Sequence, residues 1–245
     1  MELKRDSWTS GDYTELVEYL KTLADGEYKK FADSLVPGGG ASFGVRVPIL
    51  RAAAKEIVKG NYAEFLKCDK GICREEIMLE GMVMSLIKCG YPQMLRYIKA
   101  YAGKITSWET CDIVSFKGLK KYLPEFWGDT EYFIYNENPW IARFGFKCLL
   151  DFYLTDEYID AVLDRVNSVD SDFYYLQMMQ AWLIATAAAK CRDKTMKFLE
   201  NNNLNDATQN MAVRKIRESN RISKEDKETA ARLKNNRPRG RHVVM

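Results

Sequence analysis

The run Trp108-Glu109-Thr110-Cys111-Asp112 holds the side-chain pair best suited to act on a cationic, partly apolar target. Positions 108 and 112 are i and i+4, so on a helix the indole and the carboxylate project from one face. A ring face attracts cations, and a carboxylate offsets positive charge. The same spacing also fits a core tryptophan beside a solvated aspartate. A second candidate is Arg143, set among apolar neighbours in Asn138-Pro139-Trp140-Ile141-Ala142-Arg143-Phe144. Burying a guanidinium is costly unless it is paired or aimed at a phosphate, so it is either a structural ion pair or a phosphate contact. Trp182 lies in a long apolar segment and suits either a core or the lining of a binding face. In Gly44-Val45-Arg46-Val47-Pro48-Ile49-Leu50-Arg51-Ala52-Ala53-Ala54-Lys55, glycine makes a turn and proline enters a helix. Arg51 and Lys55 then form a basic i,i+4 stripe beside that turn.

These residues must be positioned by helices. Apolar residues recur at 3.6-type spacing over 12–24, 27–34, 47–59, 62–68, 74–88, 92–102, 108–117 and 118–127. The pattern resumes over 139–153, 156–166, 173–191, 193–201, 205–218 and 224–234. No alternating strand pattern bounded by turns competes with it. Ser107 and Ser223 stand where helix N-caps belong, and Pro48, Pro92 and Pro139 stand near helix starts. Helices follow in pairs of about 30–45 residues, the period of HEAT-type repeats. The expected fold class is therefore all-α: a curved α-solenoid of HEAT-like helix pairs with one concave face. It should form a single repeat domain over residues 1–235, followed by a basic flexible tail over 236–245. The longest loop is Pro37-Gly38-Gly39-Gly40-Ala41-Ser42-Phe43-Gly44.

Composition narrows the chemistry further. The only histidine, His242, lies in the C-terminal tail, which excludes hydrolases built on a Ser-His or Cys-His pair. An acid or base must then be a carboxylate, lysine, tyrosine or cysteine. The six cysteines form no CxxC pair, so neither a metal nor a cofactor is expected, and the thiols suit a reducing compartment. No stretch approaches the ~20 apolar residues of a membrane span. The N-terminus lacks a signal core. The expected location is the cytoplasm, and the expected state a monomer. From Arg214 onward eleven Lys/Arg face four Asp/Glu, net +7 in a chain of net charge +3, which leaves −4 for the preceding residues. A basic end on a mildly acidic body suits contact with a phosphate backbone.

Together these motifs resemble the DNA alkylation repair proteins. Gly44-Val45-Arg46-Val47-Pro48 with Leu50-Arg51 and Ala54-Lys55-Glu56-Ile57 is similar to the signature GVR-x-P-x-LR-x-x-AKEI. Glu80-Gly81, Trp108 with Asp112, Arg143-Phe144 and Ala181-Trp182 follow in the family's order, and Lys215-Ile216-Arg217-Glu218-Ser219 with Arg221-Ile222 resembles its closing string. The resemblance spans roughly residues 25–234. It implies a C-shaped stack of HEAT-like helix pairs holding duplex DNA that contains alkylated purines. The implied activity is monofunctional glycosylase action on cationic N3- and N7-alkylated purines, with the lesion left largely stacked. It further implies that Asp112 is the catalytic carboxylate, flanked by the indoles of Trp108 and Trp182. Arg143 falls on a basic residue near the phosphate, and Tyr28 on a tyrosine of the same wall. Arg46, Arg51 and Lys55 are expected at the DNA. The alternative is a non-enzymatic HEAT-repeat module that binds DNA structures or a protein partner.

Overall fold

The computed structural model describes residues 1–234, and the tail expected over 236–245 lies outside them. Among the described residues every regular element is helical, as the periodicity predicts. None of these helices is long and apolar enough to cross a membrane. The chain forms two compact units, Met1–Phe126 and the part from Trp127 onward.

The first unit contains α1 (Ser10–Thr22), α2 (Gly26–Leu35), α3 (Val47–Ile57), α4 (Tyr62–Lys67), α5 (Arg74–Leu86), α6 (Tyr91–Ala102) and α7 (Trp108–Ile113), then a 3₁₀ turn, Lys117–Lys121. The unit boundary falls within α8 (Leu123–Ile134). The second unit continues with α9 (Pro139–Phe152), α10 (Ile159–Asn167), α11 (Tyr174–Lys190), α12 (Arg192–Glu200), α13 (Asp206–Glu218) and α14 (Lys224–Arg232). In the first unit α5 packs on α3 and α7, and in the second α11 packs on α9 and α13. Alternate helices thus stack in sequence order, as in an α-solenoid. The candidate residues on α3, α7, α9 and α11 all lie on these stacked helices.

Helix starts follow the sequence signals. Pro48, Pro92 and Pro139 occupy the first two positions of α3, α6 and α9. Ser107 and Ser223 cap α7 and α14. Ends follow less closely. The expected helix over 108–117 stops at Ile113, where Val114 turns extended. The helix expected over 118–127 is instead the 3₁₀ turn followed by α8, which runs on to Ile134. Pro124 explains the break, since a residue without an N–H fits the first turn of a new helix and not the middle of an old one. Phe126, Thr130, Phe133 and Ile134 give α8 its buried stripe.

The core of the first unit is built around charge. Arg74, Glu75, Glu76 and Glu80 on α5 are all buried, at 2%, 3%, 6% and 2% exposure. Each is partnered. Glu75 accepts the backbone N–H groups of Phe43 (3.0 Å), Gly44 (2.7 Å) and Val45 (3.1 Å). Glu76 accepts the Tyr13 hydroxyl at 2.8 Å and the Gly71 N–H at 3.0 Å. Glu80 takes Lys104 at 2.6 Å. In the second unit Arg165 does similar work: its guanidinium lies 3.6 Å over the Trp127 ring and pairs with Glu131 at 2.9 Å, which ties α10 to α8.

Glu75 fixes the glycine loop, and Gly44 is the residue that lets it. Gly44 has φ +89°, and a Cβ there would meet Lys29 Cβ at 2.6 Å and the Asp25 carbonyl at 3.0 Å. Gly44→Ala is expected to destabilise the protein by ~2–5 kcal/mol. The left-handed backbone contributes about 1–2 and overpacking about 1–3. Gly26→Ala, with open space around its Cβ, is the matched control. Denaturant unfolding compares the two, and a Gly44→Ala midpoint at the wild-type value rules out the constraint.

Candidate active site

Helix α7 is short, and isolated helices of its length are marginal. Three anchors hold it. Ser107 and Thr110 form a reciprocal capping box at its start, both buried. Glu109, 7% exposed, pairs with Arg74 Nε at 3.3 Å, and Arg74 also pairs with Asp33 of α2. Trp108 Nε1 donates to the Leu35 carbonyl at 3.0 Å. Leu35 ends α2, where a helix leaves its last carbonyls without intrahelical donors, so the indole satisfies one of them. The indole is thereby fixed, and its ring remains half-buried.

Asp112 lies one turn further along α7 and is half-buried, with Oδ1 out of solvent reach. The i,i+4 relation of Trp108 and Asp112 on a helix is as the sequence predicts. Tyr28 sits seven residues before Leu35 on α2, on the same face. The Arg46 guanidinium lies 4.7 Å over the Tyr28 ring and pairs with Asp25 at 2.7 Å. Burial raises the Tyr28 hydroxyl's pKa, and the charges of Glu109 and Glu75 raise it further, against Arg46 and Arg74. Tyr28 therefore belongs to the same electrostatic neighbourhood as the base of α7.

Arg51 and Lys55 line a cleft of about 280 Å³ between α3, α5 and the segment that follows α7. Its other wall includes Ile113, Val114, Ser115 and Lys117. Lys117 is a functional candidate that sequence reasoning missed. Its place opposite α3 arises from the bend at Val114, which no spacing pattern announces. Glu109 and Arg74 were missed as well, because periodicity assigns charged residues to the surface.

In the second unit Arg143 is buried at 3% exposure, and its Nη1 donates to the Tyr175 carbonyl. Tyr175 is in the first turn of α11, so Arg143 ties α9 to the start of the helix that carries Trp182. Trp182 is 40% exposed, although Ala181 and Leu183 beside it are fully buried. Tyr174, Met178 and Trp182, at i, i+4 and i+8, form a stripe of α11 that reaches solvent. All six cysteines are free, and burial pushes the Cys148 thiol's pKa up strongly. The described residues contain no group of His, Cys, Asp and Glu arranged to hold a metal ion.

The family described as "DNA alkylation repair enzyme" matches residues 16–220, which include every candidate residue above and leave α14 outside. No curated protein matches the chain.

The anchoring of α7 has a pH signature. Burial raises the Glu109 pKa against the lowering effect of Arg74. A carboxylate whose folded pKa is raised holds more protons folded than unfolded, so its contribution to stability falls as pH rises from ~4.3 toward the folded value. Asp33, Asp25 and Asp12 are shifted down, and stability tied to them is lost only as pH falls below ~3.9. As pH rises above ~4.3, Glu109→Gln is expected to remove a contribution that declines in the wild type. Urea unfolding at several pH values measures it, and identical slopes for both proteins rule out a titrating Glu109.

Proposed function

The chain belongs to the DNA alkylation repair enzyme family, and from that premise we propose that it is a monofunctional DNA glycosylase acting on cationic N3- and N7-alkylated purines in duplex DNA. The reading rests chiefly on one observation: a half-buried indole, fixed by a helix-end carbonyl, stands one turn from a half-buried carboxylate on the same short helix.

The chemistry suits these residues. An alkylated purine carries positive charge, so its bond to C1′ is already weakened and needs no acid catalyst. As that bond breaks, its electron pair passes to the base nitrogen and neutralises the base, while positive charge develops on the sugar. Asp112 stabilises the oxocarbenium-like charge and receives a proton from the water that adds to C1′. Trp108 supplies a ring face to the deoxyribose, and Trp182, the exposed indole of the second unit, is proposed for DNA contact in its own right. Fixed charge aimed at developing charge is commonly worth ~3–4 kcal/mol, judged from loss of single oxyanion-hole donors. Arg143 acts by holding the first turn of α11. Tyr28 and Arg46 extend the wall beside Trp108, and Arg51 and Lys55 contact the DNA backbone.

Incubation with methylated duplex DNA is expected to release 7-methylguanine or 3-methyladenine. Asp112→Asn should lower the rate about 100-fold or more, at ~1.4 kcal/mol per factor of ten. Trp108→Phe keeps a ring but loses the bond to Leu35, and should retain more activity than Trp108→Ala. An Asp112→Asn protein as active as wild type refutes the catalytic assignment. Tight duplex binding with no base release in the wild type points to a non-enzymatic DNA-binding module.

A further inference from the structure

We propose that Arg51, Lys55 and Lys117 form one phosphodiester-binding cleft that grips the DNA backbone within a few nucleotides of the scissile sugar. The inference rests on the duplex-DNA reading above and adds Lys117 and a register to it.

The three cations come from two separate parts of the first unit and line one cleft of about 280 Å³. All three are exposed, and among the described residues none has a carboxylate partner within ion-pair distance. Several other basic residues of the unit do: Lys59 pairs with Glu56 at 2.6 Å, Arg46 with Asp25 at 2.7 Å and Lys104 with Glu80 at 2.6 Å. Three like charges facing one cleft repel each other in the free protein, and a bound anion relieves that repulsion. The cleft also has an apolar wall, with Met82, Leu86 and Ile113. Charge beside apolar surface fits a phosphate flanked by sugars better than a small inorganic anion.

Its place sets a register. Ile113 to Lys117 directly follow Asp112. Five extended residues span at most ~17 Å, and one DNA strand carries a charge every ~3.4 Å of axis. The phosphate gripped by Lys117 therefore lies within about five nucleotides of the sugar at Asp112.

The test is the salt dependence of binding to an undamaged duplex, which carries no scissile base and is independent of catalysis. The triple variant Arg51→Gln, Lys55→Gln, Lys117→Gln should lower the slope of log K against log[salt] by up to about 2.7, near 0.9 per phosphate contact. Lys117→Gln alone should lower it by about 0.9. A control triple at exposed cations elsewhere in the unit, Lys4→Gln, Lys67→Gln, Arg96→Gln, should fall less. Replacing about five phosphates beside a lesion by neutral methylphosphonates should weaken wild-type binding and leave the cleft triple nearly unaffected. A cleft triple with the wild-type slope overturns the proposal, as does an equal fall in the control. Binding of inorganic phosphate that the triple abolishes, with the duplex slope unchanged, also overturns it in favour of a small-anion site. Absent base release beside a normal slope difference sinks the glycosylase reading and leaves the cleft standing.

Discussion

The first unit depends on four charged side chains buried along α5. Burying an ion pair is not by itself stabilising, because desolvation can exceed the Coulombic gain. What such pairs do is make every alternative arrangement costly, since a buried charge without its partner costs about 3–5 kcal/mol. Arg74, Glu75, Glu76 and Glu80 each reach a different segment. Arg74 takes α2 and α7, Glu75 takes the glycine loop, Glu76 takes α1, and Glu80 takes Lys104 beyond α6. Moving any one of these segments strands a charge on α5. A stack of helices could slide by a turn if apolar contacts alone held it, and these polar contacts deny it that freedom.

The candidate site inherits this constraint. Helix α7 has too few residues to hold itself, and its position follows from Arg74 pairing with Glu109 on the inner side and Trp108 bonding to Leu35 on the outer. The two bonds leave from adjacent residues and reach two different helices, so α7 can neither roll nor slide. A catalytic constellation loses efficiency when it is misplaced by as little as 1 Å. An indole held through its nitrogen also presents its ring in one orientation. The second unit uses the same economy, with Arg143 bonding the first turn of α11.

Much of this was legible in the sequence, for reasons that also mark the limit. Prolines and serines at helix starts act locally, through the missing N–H or the side-chain oxygen, and the starts of α3, α6, α7 and α14 follow them. The i,i+4 geometry of Trp108 and Asp112 is likewise local. What was not legible is tertiary. Arg74-Glu75-Glu76 resembles any solvated first turn, because local pattern carries no sign that three loop N–H groups will converge on Glu75. The early end of α7 depends on the packing that draws Val114 inward. Lys117 reaches the cleft only because of that bend, so its partnership with Arg51 and Lys55 is invisible at a separation of more than sixty positions.

The buried charges also change how the chain's net charge should be understood. The residues before Arg214 sum to −4, which suggests a body that repels a phosphate backbone. Glu75, Glu76, Glu80 and Glu109 in that sum face inward at 7% exposure or less, but Arg74, Arg143, Lys147 and Arg165 are buried as well, so burial leaves the formal balance of the surface unchanged and only the placement of its charges can make a basic face. Backbone N–H groups, a tyrosine hydroxyl, Lys104 and Arg74 already answer the buried glutamates. A carboxylate so partnered contributes less to the surface field than one in water facing the ligand. The cations at the cleft have no such partners, so their field reaches outward. Local potential is governed by which charges are unanswered and where they point, not by formal count. A mildly acidic body can therefore carry a face that attracts polyanions where cations without carboxylate partners gather.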